Sequence, residues 1–541
     1  MIKKLFNHEA KSISSGAFVI AVFYLINGVL AILRNTLLAS HFGAGRELDI
    51  YYSAFRIPDL IYTILISGAL SVGFIPIFAE KLVKSKEEAW RFCNNILTTL
   101  TLILGIGALL VAIFAPLIVP LLVPGFDKIS QQAVTKLVQI MMIQPIVLGV
   151  SNIIVGILQN FRRFFVTSLA PLFYNFGIII GVVVFVPLMG LKGLAWGVVL
   201  GALMHFLIQL PSLKNLGFSF KFLPDFRSEN LKQIFTLAGP RLLGLISIQI
   251  NFFIITVVAS TLQKGSLAVF NFANDLQNFP QNIFAISFAV SVFPILSQLF
   301  DRKEEFSKLF RSTMKNILVF MLPAAVFYFV LRSQIVRLTL GYGHFDWLAT
   351  NEVISVLGIF SFGMIATGLL PLMVRLFFST RDAIKPLIAG LINNGLNIIL
   401  SLFLGHRFGV VGLAVAFSIT DYCGLILLMV LFKKEGINLG WREIFMSASK
   451  IIVASVAAGL SGFGILRAGE LFLNTHTISG LLIQAGSAFV VGILIYLLIL
   501  RLIAKDEFFY FKRFFKKFSV GKQGLETAVV AGAISEEKTG L

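Results

Sequence analysis

Charged side chains inside otherwise apolar stretches are the residues of this sequence best placed to do chemistry. Arg34, Arg56, Asp59 and Asp275 each sit within or at the edge of a long apolar run, and Asn27, Asn271, Asn274, Gln277 and Asn278 add polar groups at a similar depth. Such groups are costly in an apolar medium, so they face a hydrated cavity or a partner. The planar fork of arginine donates paired hydrogen bonds to phosphate, which makes Arg34 and Arg56 candidates for holding an anionic group. Local pairing competes with that account for Arg56, because Asp59 follows it at i+3. A second set, Asn251, Asn393, Asn394, Asn397 and Asp421, offers oxygens of the kind that bind a cation or carry a proton. Hydrogen bonding between membrane helices explains these asparagines equally well. Arg241 and Arg375 lie nearer the ends of their runs, where they line a cavity mouth or reach towards lipid phosphates.

Catalytic patterns do not occur. The chain has no G-x-x-x-x-G-K-[ST], no G-x-S-x-G and no H-E-x-x-H. Its six histidines are dispersed, and Cys93 and Cys423 have no metal-ligand spacing. These facts point away from an enzyme and from a bound cofactor. With no nucleotide motif, transport would draw on an ion gradient (Na+ or H+), on the membrane potential or on the gradient of the substrate.

The elements that must position these residues are membrane helices. Apolar residues make up 57% of the 541 residues and charged residues 13%, which leaves too few polar side chains to coat a soluble core. A bilayer is crossed by about 20 apolar residues. Such runs predict about fourteen spans, near 15–40, 54–79, 94–122, 132–158, 164–188, 191–212, 233–261, 266–299, 313–338, 351–378, 384–405, 409–432, 446–472 and 478–503. The fold class expected is therefore an all-α polytopic membrane protein. The first span follows the basic residues Lys3, Lys4 and Lys11 without a small-residue cleavage site and reads as a retained helix.

The net charge of +19 sits between the spans rather than in one stripe, which argues against nucleic acid as a partner. Every second connection is basic, from Lys81/Lys84/Lys86/Arg91 through Lys433/Lys434/Arg442 to the tail with Lys512, Arg513, Lys516 and Lys517. The positive-inside rule then puts both termini in the cytoplasm. The tail segment EFFYFKRFFKKF suits a helix at an anionic membrane surface, or a simple anchor.

The chain also repeats itself. FYNFGIII and GLKGLAWG around Asn175 and Gly193 return as LINNGLNIIL and GVVGLAVA around Asn394 and Gly412, 219 residues on. The same offset pairs Tyr51 with Phe270 and Ile57 with Leu276. Six helices per unit, an even number, give two parallel, pseudo-symmetric six-helix lobes. The expected domains are 1–218, 219–437, two extra helices in 438–503 and a basic tail in 504–541. Paired lobes are the layout of an alternating-access transporter.

The run RNTLLASHFGAGRELDIYYSAFRIPDLIYTILISGALSVGFIPIF, from Arg34 to Phe78, resembles the MurJ (MviN) lipid II flippase family of the multidrug/oligosaccharidyl-lipid/polysaccharide exporter superfamily. AGP at 238–240, FPILS at 293–297 and STRDAIKP at 379–386 extend the resemblance over most of the chain. It implies that undecaprenyl-pyrophosphate-linked peptidoglycan precursor is moved from the inner to the outer leaflet of the bacterial cytoplasmic membrane, with the last two helices holding the lipid tail. It also implies a sodium site near Asn251, Asn393, Asn397 and Asp421.

The chain departs from the family in its cavity charges. Of the arginines expected there, Arg34 is kept, while Gly28, Tyr62 and Asp275 stand where others would be, and Ser67 replaces a glutamate. Arg56 or Arg241 then compensates Asp275, or the substrate differs. The site expected comprises Arg34, Arg56, Asn27, Asn274, Asp275 and Arg241 for substrate, with Asp49 and Asp59 at the gate and Arg34 paired with Asp275. The partners expected are the lipid-linked precursor, membrane lipids and cell-wall synthesis enzymes. The alternatives are an exporter of another lipid-linked glycan or amphipathic molecule, and a non-transporting scaffold for envelope enzymes.

Overall fold

A computed structural model describes residues 13–64, 73–433, 435–475 and 477–519; the side chains of 13–21, 235, 237–241, 243 and 513–519 lie outside the description. The leader lysines, Ser67 and the tail beyond Ser519 therefore fall outside the described residues, as does the side chain of Arg241. Among the described residues every regular element is helical.

The elements are α1 Ile13–Phe42, α2 Arg46–Tyr62, α3 Ile75–Lys84, α4 Lys86–Leu122, α5 Lys128–Met141, α6 Ile143–Asn160, α7 Phe164–Ile180, α8 Val186–Met189, α9 Lys192–Leu207 and α10 Leu210–Asn215. They continue as α11 Glu229–Ser260, α12 Ser266–Pro280, α13 Ser287–Gln298, α14 Lys303–Thr339, α15 Trp347–Ser379, α16 Ile384–Lys433, α17 Trp441–Phe472, α18 Ile478–Ile503 and α19 Lys505–Ser519. Short π-helical turns, Gly181–Phe185 and Gln281–Ile286, join α7 to α8 and α12 to α13. Side-chain oxygens satisfy the first-turn amides where helices start: Ser85 accepts from Glu88 N, Asp127 from Ser130 N, Asp346 from Ala349 N and Thr477 from Gly480 N.

Eleven helical stretches among the described residues are long and apolar enough to cross a membrane, and Gly244–Ser260 is a shorter apolar helix. One of the eleven, α16, is two helices joined at Gly409, whose φ of 61° and ψ of −144° break the helical path. The second expected span, 54–79, runs through residues 65–72, which are not described.

The chain divides into two compact units, Met1–Ala268 and Val269–Leu541. In the first, α7 and α9 approach through glycines. A Cβ on Gly177 would come 2.2 Å from the Gly201 Cα, and one on Gly181 would come 2.6 Å from the Gly197 Cα. Small residues four apart let helix backbones touch, the packing that replaces hydrophobic drive inside a bilayer. A buried trio is held beside them, with Ser151 Oγ 2.6 Å from His205 Nδ1 and Gln209 Nε2 donating to Ser151 Oγ at 2.6 Å. Helix α11, which the internal repeat groups with the second half, packs in this unit against α2 and α4.

In the second unit α14, α15, α17 and α18 pack as long neighbours around a core that includes Phe310, Met321, Phe377 and Ala458. Tyr496 donates to the Val319 carbonyl at 2.7 Å. Helix α19 is fastened by a buried hydrogen bond between Glu507 and Ser447 and by Phe511, which stacks on Phe320.

The backbone carries the 219-residue repeat. Gly190 (φ 60°, ψ −144°) matches Gly409 (φ 61°, ψ −144°). Among the described residues the non-glycines with positive φ, Arg162 and Arg381, are also 219 apart, as are Gly217 and Gly436. Turns of this kind need specific residues, so equal turns at equal spacing mark equivalent helix ends.

Candidate functional site

Helices α1 and α7 bring the first cluster together. Arg34 donates from Nε and Nη2 to Asn35 Oδ1 at 3.1 and 2.9 Å, and from Nη1 to Asn175 Oδ1 at 3.1 Å. Asn175 in turn donates from Nδ2 to Asn27 Oδ1 at 3.0 Å. Arg34 is half-buried, and its amide partners orient the guanidinium. A guanidinium fixed in this way is a preorganised donor to phosphate oxygens.

The second cluster runs along α2. Asp49 is buried, and its two carboxylate oxygens accept from Gly265 N at 2.7 Å and Ala268 N at 3.0 Å. Arg46 lies 3.7 Å from Asp49 Oδ2 and over the Phe126 ring at 4.0 Å. Seven residues on, Arg56 Nε donates to Thr256 Oγ1 at 3.0 Å, and its guanidinium faces the Phe252 ring at 5.2 Å. Seven further, Thr63 Oγ1 accepts from Gln249 Nε2 at 2.8 Å. Asp49, Arg56 and Thr63 thus form one stripe, two turns apart, that binds α11, the turn after it and the first turn of α12. Asp59 is close enough to Arg56 to feel its charge, and it accepts a hydrogen bond from the Gln144 side chain. Tyr62, the replacement for an expected arginine, accepts through its hydroxyl from Asn152 Nδ2 at 3.0 Å.

In the second unit, α12 carries Asn274, whose Oδ1 accepts from Gln277 Nε2 at 3.0 Å, and the half-buried Asp275. The two halves of α16 gather a third cluster. Asn397 Nδ2 donates to Thr420 Oγ1 at 2.9 Å and its Oδ1 accepts from Ser401 at 3.1 Å. Beside them Asp421 Oδ2 and Asn393 Oδ1 are buried without a hydrogen-bond partner. Two orphaned oxygens of this kind suit a monovalent cation or a proton. Asn251 is buried in the first unit, where its Oδ1 likewise lacks a partner. Arg375 donates to the Pro371 carbonyl at 3.2 Å. Among the described residues no three His, Cys, Asp or Glu side chains gather as a metal site would require.

The structure brings the expected residues Arg34 and Asn27 into one hydrogen-bonded cluster and Asp49 and Arg56 into another, and adds Asn35, Asn175, Thr63, Gln249, Thr256 and Gly265, which the sequence did not single out for the site. The spacing of 49, 56 and 63 was a readable signal for one stripe. Gly265 has φ 92°, and a Cβ there would strike the Ala44 carbonyl at 2.0 Å, so only the folded turn shows why it is glycine.

Residues 38–505 match the family described as lipid II flippase MurJ. The chain is similar to the "Probable lipid II flippase MurJ" of Buchnera aphidicola subsp. Acyrthosiphon pisum, 28% identical over 447 residues, covering 81% of this chain and 87% of the relative. Among solved structures it is similar to a lipid II flippase MurJ in an inward closed conformation, with a TM-score of 0.76 and 24% identity over 90% of this chain and 99% of that one. An inward-facing MATE family transporter of the MOP superfamily shares the fold, with a TM-score of 0.65 and 16% identity over 77% of this chain and 98% of that one.

Proposed function

The chain belongs to the lipid II flippase MurJ family, and from that premise we propose how its own residues move the lipid-linked peptidoglycan precursor across the bacterial cytoplasmic membrane. It is a transporter and not an enzyme. The observation that carries the assignment of the site is the Arg34 cluster. Asn35 and Asn175 hold the guanidinium by amide oxygens and fix its direction, which supports its use as a bidentate donor to the pyrophosphate of the cargo. Arg56 adds a second basic group on α2, oriented by its hydrogen bond to Thr256. The stripe of Asp49, Arg56 and Thr63 acts as a gate, because each bond ties α2 to α11 or its following turn and must break for the helices to part. A cation held by Asp421 and Asn393 supplies the coupling.

Complementation of a bacterium depleted of its own lipid II flippase tests this reading, with wild type, Arg34→Ala and Asp49→Ala at matched expression. Wild type is expected to restore growth. Arg34→Ala loses a charge-assisted contact of about 1.5–3 kcal/mol and should lower translocation roughly 10- to 100-fold. Asp49→Ala leaves two buried amides unpaired and should fail as well. Full rescue by Arg34→Ala would remove this arginine from the cargo path.

A further inference from the structure

The first unit carries an open-sided groove that the transport clusters do not use. Leu207, Leu210, Pro211, Phe218 and Phe220 line a cavity of about 580 Å³, and Lys214 stands at its edge. The strap that closes one side, from Gly217 to Arg227, is pinned along α4. Asn94 donates to the Ser219 carbonyl at 3.0 Å and accepts from Lys221 N at 2.9 Å. Asn95 donates to the Leu223 carbonyl at 3.1 Å, and Thr99 Oγ1 accepts from Asp225 N at 2.9 Å. Asn94 and Thr99 are buried, so this extended segment is fixed and its register is set.

Fixing the strap leaves Phe220, Phe222 and Phe226 exposed beside the lysines. Exposed aromatics next to basic side chains are the chemistry of a membrane interface. The rim is positive on two sides. Lys214 is exposed on α10, and a methyl group on Gly217 would lie 3.8 Å from the Lys86 amine. The strap's acid, Asp225, turns back to accept from Arg227 N at 3.0 Å. An apolar slot with two lysines at its mouth complements a chain of methylenes that ends in a phosphate.

We infer that this groove holds an acyl chain of an anionic phospholipid whose phosphate lies against Lys214 and Lys86. The site is separate from the cargo path, because none of its residues belongs to the Arg34 cluster or the α2 stripe. A lipid held there fastens the connection between α10 and α11 to the bilayer surface.

Native mass spectrometry of the full chain in detergent, without lipid II, tests the inference with phosphatidylglycerol and phosphatidylethanolamine of identical acyl chains. Phosphatidylglycerol should be retained in preference. Lys214→Glu with Lys86→Glu alters only exposed side chains and should weaken retention about 25-fold, near fivefold for each lysine. Leu210→Trp should fill the groove and abolish retention, while Arg34→Ala should leave it unchanged. A photo-crosslinking residue at Phe220 should give a lipid adduct in cells. Equal retention of the two lipids, indifference to the lysine pair, full competition by inorganic phosphate, or a polypeptide adduct would each overturn the proposal.

Discussion

Asp421 poses the sharpest problem at the scale of single residues. Its Oδ2 is buried without a hydrogen-bond partner, as is Asn393 Oδ1 in the other half of α16. A carboxylate in that setting costs several kcal/mol unless a proton or cation joins it. Asp421→Asn keeps the shape and removes the charge. Transport by the variant should therefore lose its dependence on Na+ or on a proton gradient, a coupling of about 5- to 150-fold. Translocation in vesicles, with Na+ exchanged for K+ and with the pH gradient collapsed, reads this directly. A variant that keeps the full ion response would show that the charge of Asp421 plays no part. Residue types alone singled out Asp421, Asn393 and Asn397, because charged and amide groups inside apolar runs are rare. They could not reveal which oxygens pair, since Thr420 meets Asn397 only once the two halves of α16 are packed.

Among the elements, the turns that link membrane helices are as specific as the helices. Gly190 and Gly409 adopt the same backbone conformation 219 residues apart, in a region closed to side chains. Replacing either by alanine should cost about 1–3 kcal/mol. Gly105→Ala is the control, because it lies within α4 and a Cβ there meets nothing within 4 Å. Thermal unfolding in detergent should show a lower transition for both turn variants and none for the control; equal transitions would mean these turns are not constrained. The sequence carried the repeat through GLKG and GVVG, yet similar letters do not disclose that Arg162 and Arg381 share a left-handed turn. Arginine has no preference for that conformation, so only packing imposes it.

At the scale of the whole molecule, the charge pattern predicts topology. Basic residues concentrate in alternate connections, and translocating them is disfavoured, so those connections are expected inside. With Lys264→Cys and Lys303→Cys compared singly, a membrane-impermeant maleimide should label the first in intact cells and the second only after lysis. Both positions are exposed, while the native Cys93 is buried. The reverse pattern would invert the chain and place the Arg34 cluster in the opposite half of the bilayer.

Composition and periodicity by themselves determined that this protein is a bundle of membrane helices built from an internal duplication, and the Arg34–Phe78 run pointed to its family. These properties are legible because apolar length and repeat spacing are one-dimensional. The tertiary structure alone decided that Arg34 is held by Asn35 and Asn175, that Asp49 binds the turn at Gly265, and that α11 packs in the first unit. Apart from the bond to the adjacent Asn35, each of those contacts joins residues or helices remote in the chain. A hydrogen bond depends on distance and angle, and neither is encoded in spacing along the sequence.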